Sequence, residues 1–308
     1  MIFSRRHLLS TLSGAAVAVT AQSLTGKAVA ASCGVALPEE TEGPFPADGS
    51  RMGPPPGMAA MPGAPASSSP TPNALKLPFI RRADLRKSGT TGHEAKGVPL
   101  SLRILVTGAG CQPLSGHAVY IWHCTQDGDY SLYSLPEEDF LRGVQISDSA
   151  GYVTFHTIFP GCYDGRMPHI HVEVYASAEM AVDAANKLAT TQFAFDPTLC
   201  EKVYTEAAGY EKSLPNLRRI SFETDNVFGD NSAAELAAQT IRLSGNATDG
   251  FAGTVTLALG DGEREPARMG PPGMGGPRGM GPEGRGPGGS RNGPPPGPPP
   301  SFGSRNRK

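Results

Sequence analysis

The chain has 308 residues, 38% of them hydrophobic, and a formal net charge of −2 at pH 7. This length allows one large domain or two small ones. The charge is unevenly distributed, because residues 266–308 carry +6 and residues 1–30 carry +3, which leaves about −11 on residues 31–265. An acidic body argues against nucleic acid as the main partner.

The first 30 residues have the pattern of a twin-arginine export signal. Arg5 and Arg6 precede a modestly apolar stretch that runs to about Ala21, and residues 28–30 (Ala-Val-Ala) provide a small-residue cleavage site. An ordinary secretory signal is the alternative. The stretch is too short and too rich in small residues to span a membrane. We therefore expect a periplasmic or extracellular protein.

Two segments, residues 51–73 and 266–308, are rich in proline, glycine and methionine. They lack the apolar content needed for folding, so we predict that they are disordered. The first would be a loop in an N-terminal arm (residues 31–76), and the second lies in a basic tail (residues 263–308). The tail is expected to be a spacer, although its charge would allow weak, salt-sensitive contact with an anionic cell envelope.

Residues 77–262 have the pattern of a mainly β domain. Short apolar and β-branched runs alternate with turn signals, which predicts a two-sheet β-sandwich with few short helices. A helical pattern is present only at about 178–188 and 233–239, and Asn231 or Ser232 is a candidate N-cap for the second. The predicted strands are 100–107, 118–124, 152–159, 170–175, 192–195 and 253–259.

The five cysteines constrain the redox chemistry of the chain. Their number is odd, so at least one is free or pairs between chains. Disulfides are permitted in an exported protein. A cysteine-based metal site is disfavoured, because the sequence has no C-x-x-C pair. The cysteines are Cys33, Cys111, Cys124, Cys162 and Cys200.

The segment 163–171 (Tyr-Asp-Gly-Arg-Met-Pro-His-Ile-His) brings several polar side chains close together. On a β-strand, His169 and His171 lie on one face, because side chains alternate with a period of two. Ile170 and Val172 would form the opposite, buried face. Two histidines on one strand face can bind a metal ion, although a half-buried pair without a metal fits this bare motif equally well.

Two turns present tyrosines near this strand. Tyr130 follows an Asp-Gly turn at the end of the 118–124 strand, with Tyr133 as a competing candidate, and Tyr163 follows a Pro-Gly-Cys turn. Phenolate is a hard anionic donor that needs a strong Lewis acid, since the free phenol has a pKa of about 10. Ferric iron meets this need better than zinc or ferrous iron. The two tyrosines and two histidines therefore predict an Fe(III) site.

At these residues the sequence resembles the intradiol ring-cleavage dioxygenases, and the resemblance covers most of residues 77–262. It is most similar to the exported, single-domain branch, because the helical N-terminal dimerisation segment of catechol 1,2-dioxygenases is not visible. A homodimer remains compatible with the sequence. The motifs are 42–45 (Glu-Gly-Pro-Phe), 121–124 (Ile-Trp-His-Cys), 128–131 (Gly-Asp-Tyr-Ser), 140–143 (Phe-Leu-Arg-Gly), 157–161 (Thr-Ile-Phe-Pro-Gly), Tyr163, Arg166, 169–171 (His-Ile-His) and 190–193 (Thr-Thr-Gln-Phe).

The resemblance implies a role for each residue of the site. Tyr130 and His171 would be equatorial ligands of Fe(III), and Tyr163 and His169 would be axial ligands. Tyr163 would also leave the metal and act as a base. A positive charge is useful beside a bound catecholate, and the family places a catalytic arginine where this chain has Arg166.

The implied reaction joins a catechol and O2 and cuts the ring between its two hydroxyl-bearing carbons to give a cis,cis-muconate-type dicarboxylate. Gln192 matches an amide that the family places near the substrate. Trp122 is expected to pack beside the site, and His117, His123 and His156 have no partner motif. The sequence does not decide which ring substituent the substrate carries. Catechol, protocatechuate, hydroxyquinol and lignin-derived catechols are all compatible with it.

Two alternative functions use the same residues. A cupin-like Fe(II) or Mn(II) enzyme could use His169, His171 and Glu173, which share a strand face, but it would need a further histidine, and none follows His171. A non-catalytic secreted β-sandwich could bind aromatics or sequester iron. Such a protein would keep the tyrosines but would not need Arg166.

Overall fold

The computed structural model describes residues 35–50 and 71–260. The predicted export signal, most of the predicted loop at 51–73 and the basic tail lie outside these residues. None of the helices within the described ranges is long and apolar enough to cross a membrane.

The described residues form two four-stranded sheets, which confirms the predicted mainly β sandwich. The first sheet has the order β4 (Tyr152–Ile158), β1 (Pro99–Thr107), β8 (Gly250–Ala258) and β7 (Arg242–Asn246). The second has the order β3 (Arg142–Ile146), β2 (Ala118–Trp122), β5 (His169–Tyr175) and β6 (Lys187–Ala194). Strands β1 and β8 are parallel, whereas the other neighbouring strands are antiparallel.

The main core lies between the two sheets. It is built from alternate residues of the facing strands, as the period of two requires. Strand β5 contributes Ile170, Val172 and Val174, which are fully buried, and β1 contributes Leu100, Leu102 and Ile104 from the opposite sheet.

A second apolar cluster covers the outer face of the second sheet. It contains Tyr120 and Trp122 from β2 and Tyr175 from β5, together with Phe45 and Ala47 of the N-terminal arm. Strand β5 is therefore buried on both faces, and all seven of its residues are buried. The arm, rather than solvent, lies against the face that carries the histidines.

The helix predicted at 178–188 is wrong. Residues 184–186 form only a single 3₁₀ turn, capped by Asp183, and β6 begins at Lys187. Strands β5 and β6 pair antiparallel with Tyr175 opposite Lys187. The alanine-rich segment between them must therefore reverse the chain direction, so its helix propensity is overridden by strand pairing.

The helix predicted at 233–239 is confirmed as α3 (Ala233–Gln239). Ser232 is its N-cap, and a capping box with Glu235 satisfies two backbone amides. The sequence patterns missed α1 (Pro197–Glu206) and α2 (Ser213–Leu217), as well as strands β3 and β7. The start of α1 nevertheless has a recognisable signal, since Asp196 caps it and Pro197 occupies its first turn.

The described cysteines fall into two groups. Cys124, Cys162 and Cys200 are buried and free, whereas Cys111 is disulfide-bonded. Burial raises the pKa of the Cys200 thiol well above its usual range. The free cysteines are therefore protonated packing residues and poor metal ligands.

Candidate metal centre

Two tyrosine hydroxyls and two imidazoles converge at the end of β5. Tyr163 Oη lies 3.2 Å from His169 Nε2, and Tyr130 Oη lies 3.4 Å from His171 Nε2. The two histidine Nε2 atoms are 3.1 Å apart. The structure thus brings together all four side chains that the sequence singled out as candidate ligands.

Tyr130 is positioned by the loop that follows β2. The Thr125 hydroxyl accepts hydrogen bonds from the backbone amides of Asp127 and Asp129, which closes the turn before the tyrosine. Gly128 has φ +91°, and a Cβ at this position would lie 3.1 Å from Tyr163 Cβ. A glycine is therefore needed for this turn to bring Tyr130 next to Tyr163.

Arg142 holds the same loop in place through hydrogen bonds, a role that the sequence did not reveal. Its guanidinium is fully buried and donates to Ser131 Oγ and to the Ser131 carbonyl at 3.0 and 2.9 Å. It also donates to the Pro46 carbonyl at 3.0 Å. Because Ser131 follows Tyr130 directly, Arg142 ties the candidate ligand to the N-terminal arm.

Tyr163 is positioned by the turn that follows β4. The Cys162 amide donates to Ser213 Oγ at 2.9 Å, and Asn216 Nδ2 donates to the Cys162 carbonyl at 2.7 Å. Both partners lie on α2, so this short helix holds the turn in place. Gly161 brings the turn against the Tyr130 loop, because its amide donates to the Thr125 carbonyl at 3.0 Å.

The N-terminal arm and β2 pack directly on the candidate ligands. The Trp122 indole stacks on the His171 ring, with centroids 4.7 Å apart and planes only 2° from parallel. Phe45 stacks on Tyr130 at 4.7 Å. A Cβ on Gly43 would lie 3.2 Å from His171 Cε1, so the arm crosses close above this ring. Tyr133, the competing candidate, instead accepts a hydrogen bond from the Ala47 amide.

Burial keeps all four candidate ligands neutral in the protein alone. It raises the pKa of Tyr163 to about 12, although nearby Arg166 acts in the opposite direction, and it raises that of Tyr130 well above 10. Burial also lowers the pKa of His169 to about 3 and that of His171 well below its usual range. The histidines therefore present neutral imidazoles, which are the form that binds metals.

The donor set fits a hard, highly charged cation such as Fe(III). His169 Nδ1 donates to the Met167 carbonyl at 2.6 Å, so its Nε2 lone pair faces the other ligands. Within the described ranges, no group of three or more His, Cys, Asp and Glu side chains could hold a metal ion. A metal held by the two histidines would take its further donors from the two tyrosines, and phenolate favours ferric iron.

Arg166 and Gln192 lie together beside the tyrosines and histidines. The buried Arg166 guanidinium donates from Nη2 to Gln192 Oε1 at 2.7 Å, and Gln192 Nε2 donates to the Thr41 carbonyl at 2.8 Å. Strand pairing sets Gln192 opposite His171. Arg166 Nε donates to Asp225 at 3.0 and 3.2 Å. No motif in the sequence pointed to Asp225 or Thr41.

Glu173, the third ligand of the cupin-like alternative, has other partners. Tyr175 Oη donates to Glu173 Oε2 at 2.6 Å, and Lys187 Nζ lies 3.2 Å from Oε1. Lys187 Nζ also lies 3.6 Å from carboxylate oxygens of Glu42 and Asp48. Burial, together with Asp48, raises the pKa of Glu173 to about 8. This carboxyl therefore belongs to a separate ionic cluster.

His123 and Trp122 have packing roles. His123 is buried, with its ring nitrogens 2.8 Å from the Cys124 carbonyl and 2.7 Å from Thr157 Oγ1. Burial lowers the pKa of His123 to about 4. Both nitrogens of His123 are thus occupied, whereas Trp122 acts on the site only through its stacking on His171.

Comparisons with known proteins agree with this architecture. The family model described as "Dioxygenase" matches residues 78–206. A chlorocatechol 1,2-dioxygenase from Rhodococcus opacus is 39% identical over 21% of this chain and 33% of its own length, so the chain spans about a third of this curated relative. An intradiol ring-cleavage dioxygenase from Tetranychus urticae shares the fold with a TM-score of 0.53 and 23% identity, over 75% of this chain and 97% of that one.

The segment that matches the family model contains strands β1 to β6 of the sandwich and is therefore similar to a dioxygenase domain. These similarities agree with the resemblance to the intradiol ring-cleavage dioxygenases that is seen in the sequence.

The close approach of Gly161 to the Tyr130 loop gives a testable prediction. A Cβ at this position would lie 2.4 Å from the Gln126 carbonyl oxygen and 2.8 Å from that of Thr125. Since both obstacles are backbone atoms, Gly161→Ala should separate the two tyrosine-bearing loops and destabilise the protein by about 1–3 kcal/mol. Urea unfolding measures this change. Gly260→Ala is the control, because its nearest neighbour would be 3.9 Å away. Equal losses in both variants would contradict the argument.

Proposed function

We propose that this chain is a non-haem Fe(III) dioxygenase that cleaves a catechol-type ring between its two hydroxyl-bearing carbons. The observation that carries the proposal is the convergence of two phenols and two imidazoles, all neutral and only Tyr163 less than fully buried, beside a buried arginine. The match of residues 78–206 to the family model described as "Dioxygenase" and the similarity to a chlorocatechol 1,2-dioxygenase support the same reaction. The products would be cis,cis-muconate-type dicarboxylates that carry both atoms of O2.

Tyr130, Tyr163, His169 and His171 would hold the metal. When bound, a ferric ion supplies the positive charge that draws electron density from a deprotonated catechol, so that the ring can react with O2. Its charge would also stabilise the phenolate forms of Tyr130 and Tyr163, which burial otherwise disfavours.

Tyr163 is the best candidate for a proton acceptor. It is less completely enclosed than Tyr130, which is only 2% exposed, and Tyr163 lies within the electrostatic reach of Arg166. The phenolate form of Tyr163 would be a strong base, because burial raises the pKa of its conjugate acid. Tyr163 would therefore accept one proton from the catechol hydroxyls as the substrate binds.

Arg166 would stabilise negative charge on the ring oxygens. Burial lowers the pKa of this guanidinium, but Tyr163 and Asp225 outweigh burial and raise it, so Arg166 remains charged. A fixed charge in a site that excludes water is worth more than the same charge in solvent. Gln192 would hold one edge of the guanidinium rather than react itself.

The alternative functions are less well supported. The cupin-like enzyme would need Glu173, whose two oxygens already contact Tyr175 and Lys187. A non-catalytic binder would not need a buried guanidinium next to the phenols. An oxygen electrode distinguishes a binder from an enzyme, because only an enzyme consumes O2 when catechol is added.

The proposed metal site predicts a colour that depends on two particular tyrosines. The purified protein should carry about one ferric ion per chain and show a visible phenolate-to-iron absorption band. Tyr130→Phe and Tyr163→Phe should each shift or weaken this band, because each removes one phenolate. Tyr133→Phe is the control, since its hydroxyl contacts the Ala47 amide instead. Elemental analysis that finds stoichiometric zinc or copper, with no visible band, would refute the proposal.

The proposed role of Arg166 predicts loss of turnover without loss of metal. Arg166→Ala should keep the iron and its visible band, because Arg166 is not a ligand, while turnover of catechol falls by about a hundredfold or more. Steady-state O2 consumption per bound iron measures the effect. Arg86→Ala is the control, because Arg86 pairs with Asp84 at the surface. Unchanged turnover in a fully metallated Arg166→Ala protein would exclude the role.

A further inference from the structure

Asp225 is a buried carboxylate to which the proposed chemistry gives no role. Its side chain is fully buried and lies between α2 and α3, in the segment that leads into a 3₁₀ turn at Phe228–Asp230. It accepts hydrogen bonds from Arg166 Nε and from the backbone amides of Met167, Val227 and Phe228. Three neutral donors and one charged donor thus meet at a single carboxylate.

These contacts fix the plane of the Arg166 guanidinium. Asp225 holds Nε, and Gln192 Oε1 holds Nη2 at 2.7 Å. A guanidinium is a rigid planar fork, so two anchors on different nitrogens define its orientation. Among the described residues, nothing accepts a hydrogen bond from the third nitrogen, Nη1. This atom is therefore the donor that is available to a ligand of the site.

Asp225 also reaches a candidate metal ligand through one peptide group. Its Oδ2 accepts from the Met167 amide at 2.6 Å, and the Met167 carbonyl accepts from His169 Nδ1 at 2.6 Å. The same carboxylate closes the turn that places Phe228 against both Arg166 and His169. One side chain thus sets the relative position of the guanidinium and the imidazole.

We propose that Asp225 is a positioning residue for ring cleavage. Asp225 orients the Arg166 guanidinium toward the oxygens of the bound catechol and does not itself touch the substrate. This inference rests on the function proposed above. A purely structural ion pair would have the same contacts, but its removal would lower stability and leave the contribution of Arg166 to turnover intact. A misplacement of about 1 Å in a catalytic group can cost roughly a hundredfold in rate.

A double-mutant cycle separates these two roles. Asp225→Asn, Arg166→Ala and the double variant are compared for kcat per bound iron, for the affinity of catechol without oxygen, and for melting temperature. We expect Asp225→Asn alone to lower kcat by about tenfold or more, and to have almost no further effect on kcat in the Arg166→Ala background. The visible band should persist in each variant.

Asp139→Asn is the matched control. Asp139 is also a buried carboxylate that binds one arginine, Arg82, together with the backbone amides of Gly89 and Thr90, but its side chain contacts neither a candidate ligand nor Arg166. The Asp139→Asn substitution should lower the melting temperature and leave kcat per bound iron unchanged. If Asp225→Asn does not fold, Asp225→Glu, which keeps the charge and moves it by one methylene, is taken through the same cycle.

Three results would overturn the inference. The first is a wild-type kcat in Asp225→Asn, and the second is a loss of kcat that is equally large with and without Arg166. The third is failure of both Asp225 variants to fold, which would mean that the residue is structural. If the wild-type protein carries iron but cleaves no catechol, the proposed function itself fails, so the two failures are distinguishable.

Discussion

The burial of β5 on both faces is the constraint on which the site depends. On one face, Ile170, Val172 and Val174 pack between the sheets, and on the other, the histidines lie beneath the N-terminal arm. A polar face that is covered in this way must satisfy its polar atoms internally. The tyrosines, the Met167 carbonyl and a bound cation can do so. A shift of one residue in the β5 register would exchange the two faces and destroy both the core and the site.

The strands and loops around β5 hold the two tyrosines and two histidines of the site in place, and burial keeps these side chains in their neutral forms. The protein alone stabilises phenols and imidazoles, with the pKa of Tyr163 raised and that of His169 lowered. A cation of high charge reverses the preference of the phenols and uses the lone pairs of the imidazoles. In the proposed function, affinity for a ferric ion and exclusion of water would thus have one cause, which is the burial of these groups. Burial acts against the charge of Arg166, but Tyr163 and Asp225 outweigh this effect and raise its pKa.

The parts of the site that depend on short-range patterns could be predicted from sequence. The His-x-His alternation and the two turns located the four candidate ligands, and the helical pattern at 233–239 with its candidate N-cap located α3. The remaining parts depend on contacts between distant segments. Asp225 lies 59 residues from Arg166, and Thr41 lies 151 residues from Gln192, so no local pattern joins them. The helix expected at 178–188 failed for the same reason, since pairing between β5 and β6 decides that segment.

Isotope analysis of the product tests the central claim most directly. The wild-type protein would be incubated with catechol under ¹⁸O₂, and the product examined by mass spectrometry. Cleavage between the hydroxyl-bearing carbons predicts an acyclic, unsaturated six-carbon dicarboxylate that contains labelled oxygen from O2 in its carboxyl groups. A ring-opened semialdehyde would mean that the ring is cut at a different bond. A quinone without label would mean that O2 serves only as an oxidant, and either product would contradict the account.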